Sequence, residues 1–335
     1  MQHNTSERPH GARRLLSLLF SIALLALAVW VFFNRQALYD WYILSGYTPP
    51  AEVAQLANDA AMNDIGKQRF FVNKPEIRSK DTFSEGCRQI GDEKSNVLGC
   101  FTGEKIYIYN VTDPRLAGIK EVTAAHEMLH SAYMHLDVGE KQRVNTLIQK
   151  QLDTFTATHI KELIDIYNRL EPGELLNEMH SILATEQSDI SAELEDYYRQ
   201  YFTDRKRVVA LADTYRGVFD SLKQQQNTLL NELNALADEI NSSTAHLNND
   251  IQALNAKVEA FNKVATSGNF TQDEFDEQRN ALQAEKEAIT RRIDQNSALR
   301  SEYEQRRQTY EALALDSASL QKSIDSRPEA PEAVQ

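Results

Sequence analysis

The chain has 335 residues, of which 41% are hydrophobic and 25% are charged, and its formal net charge is −13. This length allows one sizeable hydrophobic core and a further structural unit, and a content of only 12 glycines and 8 prolines favours long, uninterrupted helices. The negative charge would repel a phosphate backbone, so nucleic acid is not an expected partner.

The first predicted element is a transmembrane anchor. Residues 15–33 (LLSLLFSIALLALAVWVFF) contain no charge and no helix breaker, and about 20 apolar residues span a bilayer. Residues 1–14 contain three arginines, so the positive-inside rule predicts a cytoplasmic N-terminus and a periplasmic or extracellular main body. A cleaved signal peptide is the alternative, because Ala26-Leu27-Ala28 has the pattern of a cleavage site. The uncleaved anchor is preferred because the apolar run continues beyond that site.

A small sheet is predicted to follow the anchor. A short helix is expected over residues 51–65, and strands are expected over residues 69–73, 97–101 and 105–111. The last two strands flank a turn-like FTGEK segment, which indicates an antiparallel hairpin. Helical patterns then dominate, over residues 117–135, 137–157, 159–170, 174–188 and from 191 onward. The predicted fold is therefore mainly α, an α+β domain with a short antiparallel sheet.

The chain contains two cysteines, Cys87 and Cys100, which close a polar loop. They lack the CxxC spacing of a metal or redox motif. Because the main body is expected outside the cytoplasm, in an oxidising compartment, we predict a disulfide between them.

The C-terminal third is predicted to be an antiparallel coiled-coil hairpin. Apolar residues recur three and four apart on both sides of a break at residues 267–270, and Thr271-x-x-Glu274 has the form of a capping box. We interpret the apolar stripe as packing and expect a protein partner or self-association through the hairpin. The predicted organisation is a cytoplasmic N-terminus, an anchor, a metal-binding domain, the hairpin and a disordered tail, over residues 1–14, 15–33, 34–204, 205–327 and 328–335.

The motif that indicates chemistry is His126-Glu127-x-x-His130, within VTAAHEMLHSAYMHL. Residues four apart share one helix face, so both imidazoles can bind a single ion. Glu127 is rotated by about 100° around the helix, so it misses the metal and reaches the water bound to it as a general base. Zinc (Zn²⁺) is the expected metal for imidazoles and a carboxylate with an open position. The alternative is a pair of core histidines beside a surface glutamate.

The motif and its uncharged neighbours resemble the HExxH helix of gluzincin zinc metallopeptidases. A metzincin is excluded, because Tyr133 and Leu136 stand where its glycine and third histidine belong. The resemblance implies a zincin-like domain, and the strand over residues 105–111 suits the edge strand with which such peptidases hold an extended substrate.

The third metal ligand is expected on a later helix. Asn177-Glu178-x-x-Ser181 is similar to the NExxSD element of thermolysin-like gluzincins, and this resemblance implies Glu178 as the ligand. Ile182 replaces the acidic residue of that element, so Glu186 and Glu174 remain alternative ligands. His180 is expected to be an outer or surface group. Three side chains are candidates for polarising a substrate carbonyl, and spacing favours none of them: Tyr133, His135 and Tyr167.

The resemblance implies a membrane-anchored zinc metalloendopeptidase that cleaves protein or peptide substrates outside the cytoplasm with a metal-activated water. The alternative is a non-catalytic scaffold of the cell envelope, in which the coiled coil is the function and the metal site is structural or degenerate. Metal content and hydrolysis distinguish the two hypotheses.

Overall fold

The computed structural model describes residues 10–87, 97–154, 164–165, 167, 169 and 173–327. The chain divides into a globular unit (Met1–Tyr215 with Ile324–Gln335) and a hairpin unit (Arg216–Ser323). The predicted tail over residues 328–335 and most of the predicted helix over residues 159–170 lie outside the described residues.

Helices dominate both units, and the prediction of a mainly α fold with a small sheet is confirmed. Among the described residues, the helices with defined bounds before the hairpin are α1 (His10–Ser45), α2 (Ala51–Asp59), α3 (Asp64–Phe71), α4 (Lys80–Gly86), α5 (Ile119–Met134), α6 (Val138–Leu152), α7 (Leu175–Glu186) and α8 (Ala192–Tyr198), with a 3-10 helix at Pro114–Leu116. The strands are β1 (Glu76–Arg78), β2 (Gly99–Phe101) and β3 (Ile106–Tyr109). The long helices are α9 (Arg205–Thr266) and α10 (Gln272–Ile324).

The sheet has the order β1-β3-β2. The predicted hairpin is confirmed, because β2 and β3 are antiparallel and the Thr102 N–H donates to the Lys105 carbonyl across the turn (2.9 Å). β1 joins β3 in parallel, so the sheet is mixed and not antiparallel throughout. The prediction that residues 105–111 supply an edge strand is wrong. β3 bonds to a neighbour on each side, and the strand that lies at the edge beside α5 is β2.

The predicted strand over residues 69–73 is also wrong, because most of it belongs to α3. The Asn63 side chain caps this helix by accepting the Gly66 N–H (3.0 Å), which satisfies a backbone donor that a helix start leaves free. Gly66 lies so close to the Tyr201 carbonyl oxygen that an added Cβ would be 2.3 Å from it. The run of apolar residues that suggested a strand instead places Phe70 in the core, where it is fully buried.

α1 is one continuous helix that contains the apolar run over residues 15–33. It is long and apolar enough to cross a membrane, with a mean hydropathy of 2.7, and its apolar segment is not buried against the rest of the protein. Its C-terminal end packs on the globular unit, where buried Asp40 forms an ion pair with Arg69 of α3 (2.8 Å).

The two cysteines lie at disulfide distance, as predicted. Cys87 follows α4 and Cys100 is the central residue of β2, and their Cα atoms are 5.9 Å apart. The bridge therefore ties the edge strand to α4.

α5 runs through the core of the globular unit. Its Ala124, Ala125, Met128 and Leu129 are fully buried, and the small alanines allow neighbouring elements to approach closely. α7 packs against α5 and contributes Leu183, which is also fully buried. This packing holds the polar faces of the two helices next to each other.

The hairpin unit consists of two antiparallel helix segments that pair within one chain. The predicted capping box is present, because the Thr271 N–H donates to Glu274 Oε2 (2.9 Å) and the Glu274 N–H donates to Thr271 Oγ1 (3.3 Å). Ion pairs join the two segments at increasing distances from the turn: Lys257 with Glu285, Asp250 with Arg292, and Glu232 with Arg306. These pairs set the register of the hairpin.

Candidate metal centre

Three side chains from α5 and α7 converge with metal-ligand spacing. His126 Nε2 lies 3.4 Å from Glu178 Oε2, and His130 Nε2 lies 3.5 Å from Glu178 Oε1. One donor atom from each of the three residues lies within 4.8 Å of the other two. Two ligands held at about 2.0–2.1 Å from zinc in tetrahedral geometry are roughly 3.3–3.4 Å apart. The donor spacing therefore allows the three side chains to bind one metal ion.

The side chains of His126 and Glu178 are 20% and 21% exposed, so the centre opens to solvent on one side. Burial raises the pKa of Glu178, but the hydrogen bond and charge of His126 oppose it and lower this pKa to about 2. Burial lowers the pKa of His126, yet the partnership with Glu178 raises it to about 9. The pKa of His130 is lowered by burial and by the charge of His126. An ionised carboxylate beside two imidazoles is a suitable donor set for a divalent cation.

Glu127 is buried beneath the edge strand, with only 5% of the residue exposed. Its carboxylate accepts a hydrogen bond from the backbone N–H of Phe101 in β2. Burial nevertheless raises the pKa of Glu127 to about 8, although the charge of His126 acts in the opposite direction. A Cβ added to Gly99 would lie 2.7 Å from Glu127 Cγ and 2.5 Å from Thr123 Cγ2. β2 can approach this carboxylate so closely only because residue 99 is glycine.

His130 is oriented by a hydrogen-bonded chain on α7. Its Nδ1 lies 3.0 Å from Asn177 Oδ1, and Asn177 Nδ2 donates to Glu174 Oε2 (3.0 Å). The Nδ1 hydrogen bond directs Nε2 toward Glu178. Glu174 thus lies behind Asn177 and outside the cluster of donors.

The structure separates the three candidate glutamates. Among the described residues, the group with metal-ligand spacing contains Glu178 and neither Glu186 nor Glu174. The charge of Glu186 contributes to raising the pKa of His126. Ile182, at the position where the thermolysin-like element has an acidic residue, is 6% exposed and belongs to the hydrophobic core.

The candidates for polarising a carbonyl lie in different places. Tyr167 donates a hydrogen bond to Glu178 and is therefore at the centre. The Tyr133 hydroxyl donates to Asn145 Oδ1 (2.8 Å). His135 is the C-cap of α5, where its Nδ1 lies 2.6 Å from the Ser131 carbonyl oxygen, on the side of the anchor helix.

His180 is fully buried and not a surface group. Its Nε2 lies 2.9 Å from the Tyr197 hydroxyl, and its ring packs 5.3 Å from that of Tyr133. Burial and the charges of the two nearby histidines lower the pKa of His180 to about 3. His180 therefore packs in the core behind the metal centre and is not one of the three metal-donor residues.

Sequence reasoning did not assign roles to Gly99, Phe101 and the side chain of Asn177. A glycine inside a predicted strand signals the close approach of another backbone or side chain, which is the part that Gly99 plays. Asn177 belongs to the NExxS element of the sequence. Only the packing of α7 on α5 shows that its side chain is hydrogen-bonded to His130.

Comparison with known protein families, curated proteins and solved structures finds no match to this chain. The interpretation of the centre therefore depends on its own residues.

Proposed function

We propose that this chain is a membrane-anchored, zinc-dependent peptidase of the gluzincin type that cleaves peptide bonds outside the cytoplasm. The observation that carries the proposal is the convergence of His126, His130 and Glu178 at zinc-ligand spacing, with buried Glu127 next to the first ligand. A pair of core histidines would require neither the third donor nor an opening to solvent.

The chain's own residues account for the remaining chemistry. A bound zinc ion would lower the pKa of a water molecule and polarise the substrate carbonyl. Glu127 is buried next to the first ligand, where its carboxylate would accept a proton from such a water and return it to the leaving amine. Burial raises the pKa of Glu127, which makes the ionised carboxylate a stronger base. The Tyr167 hydroxyl, at Glu178, is the candidate donor to the carbonyl oxygen. β2, as the edge strand, offers backbone groups to an extended peptide.

The proposed location is outside the cytoplasm, with the N-terminus inside. α1 is long and apolar enough to span the membrane, and three arginines precede residue 15 whereas one, Arg35, follows the apolar run directly. The pairing of Cys87 with Cys100 supports an oxidising compartment for the main body.

The hairpin unit is proposed to recruit a protein partner or a second copy of the chain. Its two segments are already joined along their length by ion pairs. We therefore assign the apolar stripe to the packing of one segment on the other. Partners would bind the outward faces of the two hairpin helices or the turn between Thr266 and Gln272. Deletion of Arg216–Ser323 with a short linker should then weaken partner capture or self-association without removing the metal.

The mechanism is tested by replacing Glu127 with Gln, which keeps the shape and removes the base. Loss of a general base costs about 10²–10⁴-fold in rate, so we expect hydrolysis of a peptide mixture to fall by that factor while zinc stays bound. The matched control is Glu186→Gln, which changes a nearby charge outside the donor group.

Two results would favour the scaffold hypothesis. One is a purified chain without stoichiometric zinc, and the other is a Glu127→Gln variant that cleaves peptides as fast as the parent. In that case the phenotype of the protein should follow deletions of the hairpin and not changes at His126 or His130.

A further inference from the structure

The anchor helix and the metal-binding helix meet directly. Asp40 of α1 is 1% exposed and accepts hydrogen bonds from Arg69 Nη1 (2.8 Å) and Gln36 Nε2 (2.9 Å). Gln36 Nε2 also lies 3.0 Å from Nε2 of His135, the C-cap residue of α5. A buried charge with a matched partner is costly to pull apart, so the Asp40–Arg69 pair fixes α3 to the anchor. α5 is held to the same end of the anchor through its packing against α3 and through the contact of His135 with Gln36.

The exposed side chains around this junction belong at a membrane surface. Tyr39, Trp41 and Tyr42 are 58%, 69% and 70% exposed, although aromatic side chains of this size are usually mostly buried in folded proteins. Tyr and Trp are enriched at the boundary between lipid and water. The end of α1 that holds α5 is therefore the end that lies in the interfacial layer.

The chain geometry limits the height of the metal centre above the lipid. Asp40 follows Phe33, the last apolar residue of the run, by seven positions, or about 10 Å of helix. The side chains of Asp40 and His135 approach to 3.8 Å, which places their Cα atoms within about 12 Å of each other. His130 lies five positions before His135, or about 7.5 Å. The backbone of His130, whose side chain reaches the centre, is therefore no more than about 30 Å from the end of the apolar run.

We propose that the substrates are peptide segments tethered to the same membrane, cut within about ten residues of their own anchor. This inference rests on the proposed peptidase function. An extended chain covers about 3.3–3.6 Å per residue, so about nine residues reach from the lipid to the level of His130 at this upper limit. Tethering both molecules to one surface raises the effective concentration of the peptide, which favours such substrates over dissolved ones.

The test uses the full chain in liposomes. A peptide mixture is first digested to find the sequence that is cleaved best, and this sequence is then built into a tandem repeat. The repeat is presented in three forms: dissolved, attached to a lipid chain, and attached to a transmembrane helix. We expect both tethered forms to be cleaved at least about tenfold faster than the dissolved form, with cuts concentrated near the tether.

A variant with a longer α1 tests the predicted distance between the metal centre and the membrane. Seven helix-forming polar residues inserted between Arg35 and Gln36 add about two turns and raise the centre by about 10 Å. The cut closest to the tether should then move outward by about three residues. The control carries the same seven residues between His10 and Gly11, on the other side of the apolar run, and should leave the cut position unchanged.

The outcomes separate the two proposals. Equal cleavage of dissolved and tethered repeats, or a cut position that ignores the insertion, would overturn the tethered-substrate proposal and leave the peptidase function intact. Cleavage of the lipid-attached form alone, or of the helix-attached form alone, would support tethering and identify the kind of anchor. If no peptide in the mixture is cleaved by the parent more than by Glu127→Gln, the peptidase function fails, and this inference fails with it.

Discussion

Two helix pairs of this molecule use polar residues in opposite ways. Between α5 and α7, histidines, a glutamate and an asparagine that are far apart in sequence converge on one point. In the hairpin unit, ion pairs such as Lys257 with Glu285 are distributed along the helices, and their side chains are substantially exposed. Exposed pairs contribute about 0–1 kcal/mol each and align the register. Convergence and burial, more than the number of charges, therefore distinguish the candidate metal centre from pairs that only align helices.

The largest expected effect in the α5–α7 pair comes from removing a ligand. Glu178→Ala should weaken zinc affinity by more than the 10–100-fold typical of losing an outer hydrogen-bond partner. Glu186→Ala should leave zinc affinity within a few-fold of the parent, because Glu186 is not among the converging donors. Competition with a chelator measures both affinities. Zinc loss on replacement of Glu186 alone would assign the third ligand to Glu186.

The next effect concerns the residue that orients His130. Asn177→Ala removes the partner of His130 Nδ1, and we expect zinc affinity to fall by about 10–100-fold. Asn145→Ala is the matched control, because the Asn145 side chain accepts the hydrogen bond of the Tyr133 hydroxyl and does not orient His130. The same chelator titration applies, and equal affinities for the two variants would contradict the role of Asn177.

Glycine-to-alanine substitutions are expected to change the free energy of unfolding in opposite directions in the two units. Gly99→Ala in β2 forces a Cβ to within 2.5 Å of Thr123 and 2.7 Å of Glu127, so we expect the free energy of unfolding to fall by about 1–3 kcal/mol. Gly217→Ala in the hairpin unit meets no atom within 4 Å and should stabilise its helix by up to about 1 kcal/mol. Urea denaturation followed by circular dichroism measures both changes. Changes of the same sign in the free energy of unfolding for Gly99→Ala and Gly217→Ala would contradict these two structural roles.

The smallest effect is expected at the buried polar residue of the hairpin. Asn296 is 6% exposed, and its Nδ2 contacts the Ile240 carbonyl (3.4 Å) and Thr244 Oγ1 (3.3 Å). A buried asparagine of this kind sets register at a cost in stability. Asn296→Leu should therefore leave thermal stability equal or slightly higher, while light scattering detects additional oligomers. Asn262→Leu, at an exposed position, is the control and should stay like the parent.

The features predicted from sequence are those set by local spacing. The shared face of His126 and His130 follows from an interval of four residues, and the capping box at Thr271 follows from an interval of three. The long helices of the hairpin follow from apolar periodicity without prolines. Each of these patterns depends on a few neighbouring residues, so no knowledge of distant contacts is needed.

The features that sequence reasoning missed depend on distant contacts. Residues 69–73 are apolar enough for a strand, but the cap at Asn63 and the contact of Gly66 with Tyr201 favour a helix. β3 alternates like an edge strand, yet the parallel pairing of β1, which lies far back in the sequence, makes β3 central. The choice of Glu178 over Glu186 depends on how α7 packs against α5.

The most direct test of the account is the zinc content of the purified chain, measured together with peptide hydrolysis. The account predicts one zinc per chain in the parent and in Glu127→Gln, with hydrolysis only in the parent. A parent without stoichiometric zinc, or a Glu127→Gln variant that hydrolyses peptides at the parental rate, would contradict it.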